Sequence, residues 1–158
     1  MPDRSNSLFR VAISSDHGGV ELKSVLKEYL TLKGHKVIDF GVKHGEKSDY
    51  PDQAFLVITA LLNDAADRGI LLCGTGIGIS IASNRFSGIR AALCHDDYTA
   101  RLSRQHNDAN VLVLGGRVLG SEVAKSIADV WLSAEFEGGR HVSRIEKIDK
   151  LAEKFWKG

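Results

Sequence analysis

The sequence predicts an α/β protein built on a parallel β-sheet, and three observations support that prediction. Short apolar runs of strand length alternate along the chain with longer segments of helical periodicity. This alternation is typical of βαβ units, in which helices cover both faces of a parallel sheet. No linker or shift in composition divides the 158 residues. We therefore expect a single domain spanning 1–158, with 1–7 as a flexible N-terminal segment.

Each predicted element rests on its own pattern. In the first helix, apolar residues recur at helical spacing from Leu22 to Leu30, and Gly34 stands where a helix C-cap belongs. The punctuated, polar stretch 40–51 is predicted to be an exposed functional loop. The predicted strands are 9–14, 36–39, 69–72, 89–94 and 111–114. The predicted helices are 20–33, 53–66, 79–84, 97–105, 121–133 and 143–156.

Charge and composition exclude several classes of protein. The 21 Lys and Arg residues balance 20 Asp and Glu, giving a formal net charge of +1. That balance gives no support to nucleic-acid binding or to binding at a membrane surface. No apolar stretch could cross a bilayer and the N-terminus lacks the apolar core of a signal peptide, so we expect a cytoplasmic protein. Two cysteines and scattered histidines predict reduced thiols and no metal site.

The most informative segment is the glycine-rich stretch 73–80, which runs from the third predicted strand into a helix. Ligands of parallel sheets bind beyond the carboxyl ends of the strands, which is where this loop lies. Its backbone N–H groups favour an anion, and the adjoining helix start favours the thiolate form of Cys73. A tight turn that binds nothing, with Cys73 as a buried apolar thiol, is the alternative. Cys94 has no such loop after it and is predicted to be a core residue.

Known phosphate-binding loops do not fit this segment. A dinucleotide-binding fingerprint needs glycine where Ile79 stands, and a cysteine-phosphatase loop needs arginine at the same position. A Walker loop needs Gly-Lys followed by Ser or Thr, which is absent. These exclusions leave a loop that holds phosphate or an oxyanion.

Several charged residues follow strands or helices at positions suited to a ligand. Asp16 and His17 come directly after the first strand, although Asp16 could instead cap the next helix. By itself His106, near a helix C-terminus, could be only a partner of the helix dipole. Arg140 and Arg144 are four residues apart, so they share one face if the last helix begins there. Two such guanidinium groups could clamp a phosphate.

Six motifs occur in order along the chain: Ser15-Asp16-His17-Gly18-Gly19, Asp49-Tyr50-Pro51, Cys73-Gly74-Thr75-Gly76-Ile77-Gly78, Ser103-Arg104-Gln105-His106-Asn107, Gly116-Arg117 and Gly139-Arg140-His141. Together they resemble the type B ribose-5-phosphate isomerases, a family that also includes galactose-6-phosphate and allose-6-phosphate isomerases. The resemblance implies a Rossmann-like three-layer α/β/α sandwich with a five-stranded parallel sheet. It also implies a phosphorylated pentose substrate, no cofactor, and a homodimer (sometimes a tetramer) whose active sites are shared between subunits.

The resemblance also implies roles for individual residues. Cys73 would be the base that moves a proton between C1 and C2 of the open-chain sugar, because glutamate, which replaces it in one branch of the family, is absent from the following residues. Thr75 would assist proton transfer between the sugar oxygens, and His106 would open the furanose ring. The implied substrate-binding residues are Asp16, His17, Tyr50, Gly74, Gly76, Ile77, Gly78, Asn107, Arg117, Arg140 and Arg144.

Within that set the resemblance separates three tasks. The amides from Gly74 to Gly78 would stabilise the enediolate, as preorganised donors do for developing negative charge. His17 and the three arginines would hold the phosphate. His106, Asn107 and Arg117 would come from the partner subunit.

Three functions remain open at this point. The leading hypothesis is a ribose-5-phosphate isomerase of the non-oxidative pentose phosphate pathway. An isomerase of a six-carbon sugar phosphate would share the same base and phosphate clamp. A non-catalytic module that binds a phosphosugar or a nucleotide would need no thiol at Cys73.

Overall fold

The computed structural model of the protein describes residues 7–156. Five strands form one sheet in the order β2-β1-β3-β5-β4, and every neighbouring pair is parallel. The strands are β1 (Arg10–Ser15), β2 (Lys36–Asp39), β3 (Arg68–Cys73), β4 (Ala91–Leu93) and β5 (Val111–Gly115). The helices are α1 (Val20–Leu32), α2 (Tyr50–Leu62), α3 (Ile77–Ser83), α4 (Asp97–Asn107), α5 (Ser121–Ser133) and α6 (Arg140–Ala152). The predicted flexible segment lies outside the described residues, apart from Ser7.

Helices cover both faces of the sheet, which confirms the predicted three-layer arrangement. On one face α1 and α5 pack on the central strands, with Leu26 and Trp131 fully buried. On the other face α2 and α3 bury Val57 and Ile79 against the same strands. Burying a large apolar side chain of this kind contributes about 1.5–3 kcal/mol relative to leaving it exposed. Two apolar layers therefore hold the sheet from both sides.

Alternation along the strands decides which residue faces which layer. In β3, Ile70 and Leu72 pack with the α1 and α5 layer, whereas Leu71 and Cys73 pack with the α2 and α3 layer. Successive side chains of a strand point to opposite faces, so this division follows directly from the sequence. Cys73 ends β3 on the α2 and α3 side, directly before the glycine loop.

Several element boundaries differ from the prediction by a few residues, and three of these differences have identifiable reasons. Helix α2 begins at Tyr50 rather than at 53, because Pro51 stands in its first turn, where a missing N–H costs nothing. Helix α6 begins at Arg140 rather than at 143, directly after Gly138 and Gly139, which both have positive φ. Strand β4 begins at Ala91 rather than at 89, because the N–H of Arg90 donates to the side chain of Asn110 instead of joining the ladder.

A buried ion pair ties α1 to the end of β2. Lys23 is 3 % exposed, and its Nζ lies 2.9 Å from both Asp39 Oδ1 and the carbonyl oxygen of Val42. Burial opposes ionisation of Asp39, but hydrogen bonds from Lys23, the Gly41 N–H and Lys27 outweigh it and hold the pKa of that carboxyl below its usual range. The pair fixes the start of the loop between β2 and α2. Among residues 7–156, no helix is long and apolar enough to cross a membrane.

Candidate active site

The glycine loop after β3 wraps main-chain donors around the Cys73 thiol. The N–H of Gly76 points at Cys73 Sγ at 3.1 Å, and the N–H of Ile77 donates to Thr75 Oγ1 at 3.2 Å. The turn requires glycine at 76, where φ is +80° and an added Cβ would lie 2.5 Å from Leu93 Cδ1. The loop therefore gives the Cys73 sulfur a main-chain hydrogen-bond donor.

Glycines let the three loops that follow β1, β3 and β5 pack backbone to backbone. A Cβ on Gly18 would lie 2.8 Å from the Gly74 nitrogen, and a Cβ on Gly116 would lie 2.6 Å from the Gly18 carbonyl oxygen. Real side chains do not approach backbone so closely, so only glycine fits at these two positions. The contact brings Asp16 and His17, the glycine loop and Arg117 to one place at the carboxyl edge of the sheet. We call these residues, together with Tyr50, the carboxyl-edge group.

Asp16 and His17 have different surroundings within this group. Asp16 is buried, and its Oδ1 accepts the N–H of Gly18 at 2.8 Å, so it shapes its own loop and does not cap α1. His17 is exposed, and its Nδ1 lies 3.2 Å from the carbonyl oxygen of Ser48. A carbonyl can only accept, so Nδ1 carries the proton in this contact and Nε2 remains free for a ligand.

Arg117 lies beside the glycine loop of its own chain. Its N–H donates to the Gly74 carbonyl oxygen at 2.9 Å, and its Nη1 would be 3.2 Å from a Cβ on Gly74. Arg117 and His17 line a cavity of about 310 Å³ whose other lining residues are Gly18, Val20, Glu21, Leu22, His44, Gly45 and Gly116. Arg117 thus reaches the loop without a partner subunit, whereas the resemblance had assigned it to the partner.

Tyr50 covers the start of α3. Its ring carbons would lie 2.9 Å from a Cβ on Gly78, so a side chain at 78 would displace the ring. Tyr50 is 40 % exposed, so it is accessible from solvent. Tyr50 comes from the first turn of α2, at the end of the exposed loop that the sequence predicted to be functional.

The remaining predicted residues form a second group, at the ends of α4 and α6. His106 stacks on His141 with the ring centroids 4.3 Å apart and the planes inclined by 12°. Asn107 is the last residue of α4. Arg140 and Arg144 lie in the first two turns of α6, which confirms that the helix begins where both can share one face. We call His106, Asn107, Arg140 and Arg144 the amino-edge group.

Burial and charge set the state of His141 beside this group. Burial lowers the pKa of the His141 imidazole, and the neighbouring His106, Arg140 and Arg144 lower it further against an opposing effect of Glu137. Glu137 Oε2 lies 3.7 Å from His141 Nε2 and 3.8 Å from His106 Nε2. Two stacked imidazoles thus share one carboxylate.

The two groups lie at opposite edges of the sheet. Helix α4 runs from the end of β4 back to the start of β5, so its last residues return to the amino edge. The contacts of Arg90 agree, since its Nε donates to the Asn107 carbonyl oxygen at 3.0 Å one residue before β4 begins. A five-residue strand such as β5 spans roughly 15 Å. Cys73 and His106 are therefore separated within one chain by about the length of a strand.

Comparison with known proteins gives this arrangement a family. Residues 11–148 match the family model described as Ribose/Galactose Isomerase. The chain belongs to the ribose/galactose isomerase family. Ribose-5-phosphate isomerase B of Escherichia coli (strain K12) is 49 % identical over 145 residues, which is 92 % of this chain and 97 % of that protein. A solved structure of Clostridium thermocellum ribose-5-phosphate isomerase B is 50 % identical, covers 93 % of this chain and 99 % of its own, and superimposes with a TM-score of 0.91.

Membership in the ribose/galactose isomerase family makes this chain a sugar phosphate isomerase, but its relatives differ in the sugar they are named for. A protein of Pectobacterium atrosepticum named D-erythrulose-4-phosphate isomerase is 46 % identical over 142 residues, which is 89 % of this chain and 93 % of that protein. Four- and five-carbon sugar phosphates are therefore both named among proteins of similar identity.

Sequence reasoning missed Glu137 and gave no role to His141, although His141 belongs to one of the six motifs. Glu137 lies in the loop before α6 and meets His106 through a main-chain contact with Gln105, so no helical spacing indicates it. His44, which lines the cavity with His17 and Arg117, was also missed, because nothing in its local sequence distinguishes it from other loop residues.

Proposed function

We propose that this protein interconverts D-ribose 5-phosphate and D-ribulose 5-phosphate through an enediolate, as a step of the non-oxidative pentose phosphate pathway. One observation carries the proposal: the Cys73 sulfur lies in a glycine loop with a main-chain N–H aimed at it, beside a cavity lined by His17 and Arg117. A base next to a cavity that offers a guanidinium and an imidazole is what isomerisation of a small phosphorylated sugar needs. The names of the relatives support the same sugar class.

The reaction begins with ring opening, which we assign to His106. Its imidazole gives a proton to the ring oxygen of the furanose while the hydroxyl at C1 gives its proton to water, which yields the open-chain aldehyde. Asp16, Tyr50 and Asn107 hold the hydroxyl groups of the extended sugar. His17, Arg117, Arg140 and Arg144 hold the phosphate, where bidentate guanidinium contacts fix its position.

Proton transfer between the two carbons is the task of Cys73. The thiolate removes the proton at C2 of the aldose, and the electron pair of that bond forms the C1–C2 double bond of the enediolate. The same sulfur returns the proton to C1, while Thr75 passes a proton from the oxygen at C2 to the oxygen at C1. Amides of the loop from Gly74 to Gly78 stabilise the negative charge on oxygen, which is a large contribution in reactions of this kind.

The active site combines the carboxyl-edge group of one subunit with the amino-edge group of another. In one chain these groups lie at opposite edges of the sheet, so Cys73 and His106 cannot act on the same five-carbon sugar. A symmetric dimer that joins unlike edges would create two complete sites. This arrangement keeps Arg117 with Cys73, and it pairs Arg140 and Arg144 with His106.

Substrate kinetics tests the proposed reaction. We expect kcat/KM for ribose 5-phosphate to exceed that for allose 6-phosphate and erythrulose 4-phosphate by at least about tenfold, because a site built for five carbons leaves buried groups unpaired with a shorter or longer sugar. A preference for either of the other sugars would replace the proposed substrate while keeping the chemistry. Binding of ribose 5-phosphate in deuterated water without exchange at C1 or C2 would instead identify a non-catalytic binding module.

Mixing inactive variants tests the shared site. Cys73→Ala and His106→Asn are each expected to be inactive, but refolding them together at equal amounts should restore about a quarter of the wild-type rate. Half of the dimers are then mixed, and each mixed dimer holds one intact site. The matched control is Cys73→Ala with Arg117→Ala, which damages the same group twice and should not be rescued. Rescue of that control, or no rescue of the first pair, contradicts the shared site.

A further inference from the structure

Three metal-binding side chains converge at the amino edge of the sheet. One ligand atom each of His106, Glu137 and His141 lies within 4.8 Å of the other two. The two distances from the Glu137 carboxylate to the imidazole nitrogens are 3.8 and 3.7 Å. Two histidines and one glutamate form a ligand set that zinc uses in enzymes, with a fourth position open to water. Contraction by roughly 1.5 Å, together with a turn of one ring, would bring all three donors to coordination distance.

The backbone holds these ligands together, so their meeting does not depend on mobile side chains alone. The N–H of Glu137 donates to the carbonyl oxygen of Gln105 at 3.0 Å, which fixes it beside the end of α4. The N–H of His141 donates to the Gly138 carbonyl oxygen at 3.1 Å, and this residue is only 5 % exposed. A long-range contact therefore brings a residue of the loop before α6 to His106.

The stacked rings determine what an ion would do to His106. Because the planes differ by only 12°, the in-plane lone pairs of the two imidazoles run nearly parallel and cannot both meet one ion. One ring must turn about its Cβ–Cγ bond. His141 is held by burial, whereas the His106 side chain is 34 % exposed, so His106 is the ring with more room to turn. Binding an ion therefore reorients the ring that ring opening requires.

We propose that His106, Glu137 and His141 form an inhibitory site for zinc, in which the bound ion withdraws His106 from the sugar. The inhibitory part of this proposal rests on the proposed role of His106, whereas the binding part does not. Arg140 and Arg144 lie close by and oppose any cation. That opposition selects an ion with strong affinity for imidazole, and it excludes Mg²⁺ and Ca²⁺, which prefer sets of oxygen ligands.

Direct titration tests the binding part. Metal-stripped full-length protein competes with a chromophoric chelator for Zn²⁺, and we expect tight binding of one ion per chain. His141→Asn and Glu137→Gln should each weaken binding by more than the roughly 10–100-fold that loss of a merely supporting group costs. Cys73→Ala is the control, since a thiolate also binds zinc, and it should bind zinc as the wild type does. Binding that is lost in Cys73→Ala and kept in His141→Asn overturns the proposal.

Isomerase assays test the inhibitory part. Zn²⁺ should abolish the wild-type rate, a chelator should restore it, and Mg²⁺ at the same concentration should leave it unchanged. In His141→Asn, the zinc concentration that halves that variant's own rate should rise at least as much as the zinc dissociation constant does. Equal sensitivity of the wild type and His141→Asn overturns the proposal. If the protein lacks isomerase activity, the proposed function fails, and the titration still decides whether the zinc site exists.

Discussion

The two cysteines of this protein occupy similar positions at the ends of strands, but different hydrogen-bonding groups face their sulfur atoms. Cys73 ends β3 and Cys94 follows β4, both near the carboxyl edge of the sheet and both buried, with 5 % and 1 % of their surface exposed. After Cys73 the chain turns through glycines, and the N–H of Gly76 points at the sulfur at 3.1 Å. The Cys94 thiol instead has the carbonyl oxygen of Ala92 at 3.6 Å, and burial raises its pKa.

The difference lies in the residues that follow each cysteine. The loop after Cys94 caps the next helix, because Asp96 Oδ1 accepts the N–H of Thr99 at 2.7 Å at the start of α4. The loop after Cys73 has no side-chain cap and gives a main-chain donor to the sulfur. The Cys94 thiol lies against an acceptor and burial raises its pKa, whereas the Cys73 sulfur faces a main-chain donor. The two thiols therefore differ in the hydrogen-bonding group that each one faces.

The largest expected effect comes from removing each thiol in turn. Cys73→Ala should fold normally and lower kcat for ribose 5-phosphate by roughly 10²–10⁴-fold, the usual contribution of a positioned base. Cys94→Ala is the matched control and should keep the wild-type kcat, because its thiol faces the core. Circular dichroism and steady-state kinetics on both variants check this. Equal losses of activity would remove the functional distinction between the two thiols.

The next largest effect concerns the turn itself. Gly76→Ala forces a Cβ to 2.5 Å from Leu93 Cδ1 at a φ of +80°, so we expect the free energy of unfolding to fall by about 2–4 kcal/mol. The rate should fall as well, since the donor to the Cys73 sulfur moves. Gly120→Ala is the control, because its φ is −71° and nothing lies within 4 Å of an added Cβ. Denaturant unfolding would show the contrast, and equal stability of the two variants contradicts it.

A smaller effect is expected at the cap of α4. Asp96→Ala removes the acceptor for the Thr99 N–H, so Tm should fall by about 2–5 °C while kcat stays unchanged. Asp96→Asn keeps a cap and should recover most of the loss. A drop in kcat for Asp96→Ala would mean that the loop after Cys94 also serves the reaction.

The smallest effect is a dependence of stability on pH. Burial raises the pKa of Cys94 in the folded protein, so above the ordinary thiol value of about 8.5 the unfolded chain loses that proton first. The folded state then binds more protons, and stability falls as pH rises through this range. Cys94→Ala lacks this contribution and should lose less stability between pH 8 and pH 10. Parallel curves for the wild type and this variant would contradict the assignment.

The fold followed from the sequence because its signals are local. Alternating apolar runs predicted the parallel strands, and the helix over 121–133 agrees at both ends with α5. Predicted boundaries were wrong where a residue type is compatible with two structures, as with Pro51, which can stand in a loop or in the first turn of a helix. The predicted start of β4 was wrong because it depends on a hydrogen bond between Arg90 and the side chain of Asn110, twenty residues further along the chain.

The candidate site was predictable residue by residue but not as an arrangement. The predicted elements put Cys73 after a strand and His106 before one, which are opposite edges of a parallel sheet, but they do not say which loops meet at each edge. The meeting of Gly18 with Gly74 depends on β1 and β3 being neighbours, which is a property of the topology. Glu137 joins His106 through a main-chain bond to Gln105 across 32 residues of chain. Such contacts arise only once the sheet order is known.

The separation of Cys73 from His106 has a genetic consequence. If each site takes one group from each subunit, a chain that carries Cys73→Ala and His106→Asn together spoils both sites of any dimer it enters. Expressed at equal amounts with the wild-type chain, it would leave about a quarter of the dimers active. Such an allele would be dominant, whereas two alleles that each damage one edge would complement one another. Whether two mutant alleles complement one another would then depend on whether their substitutions lie at the same edge of the sheet or at opposite edges.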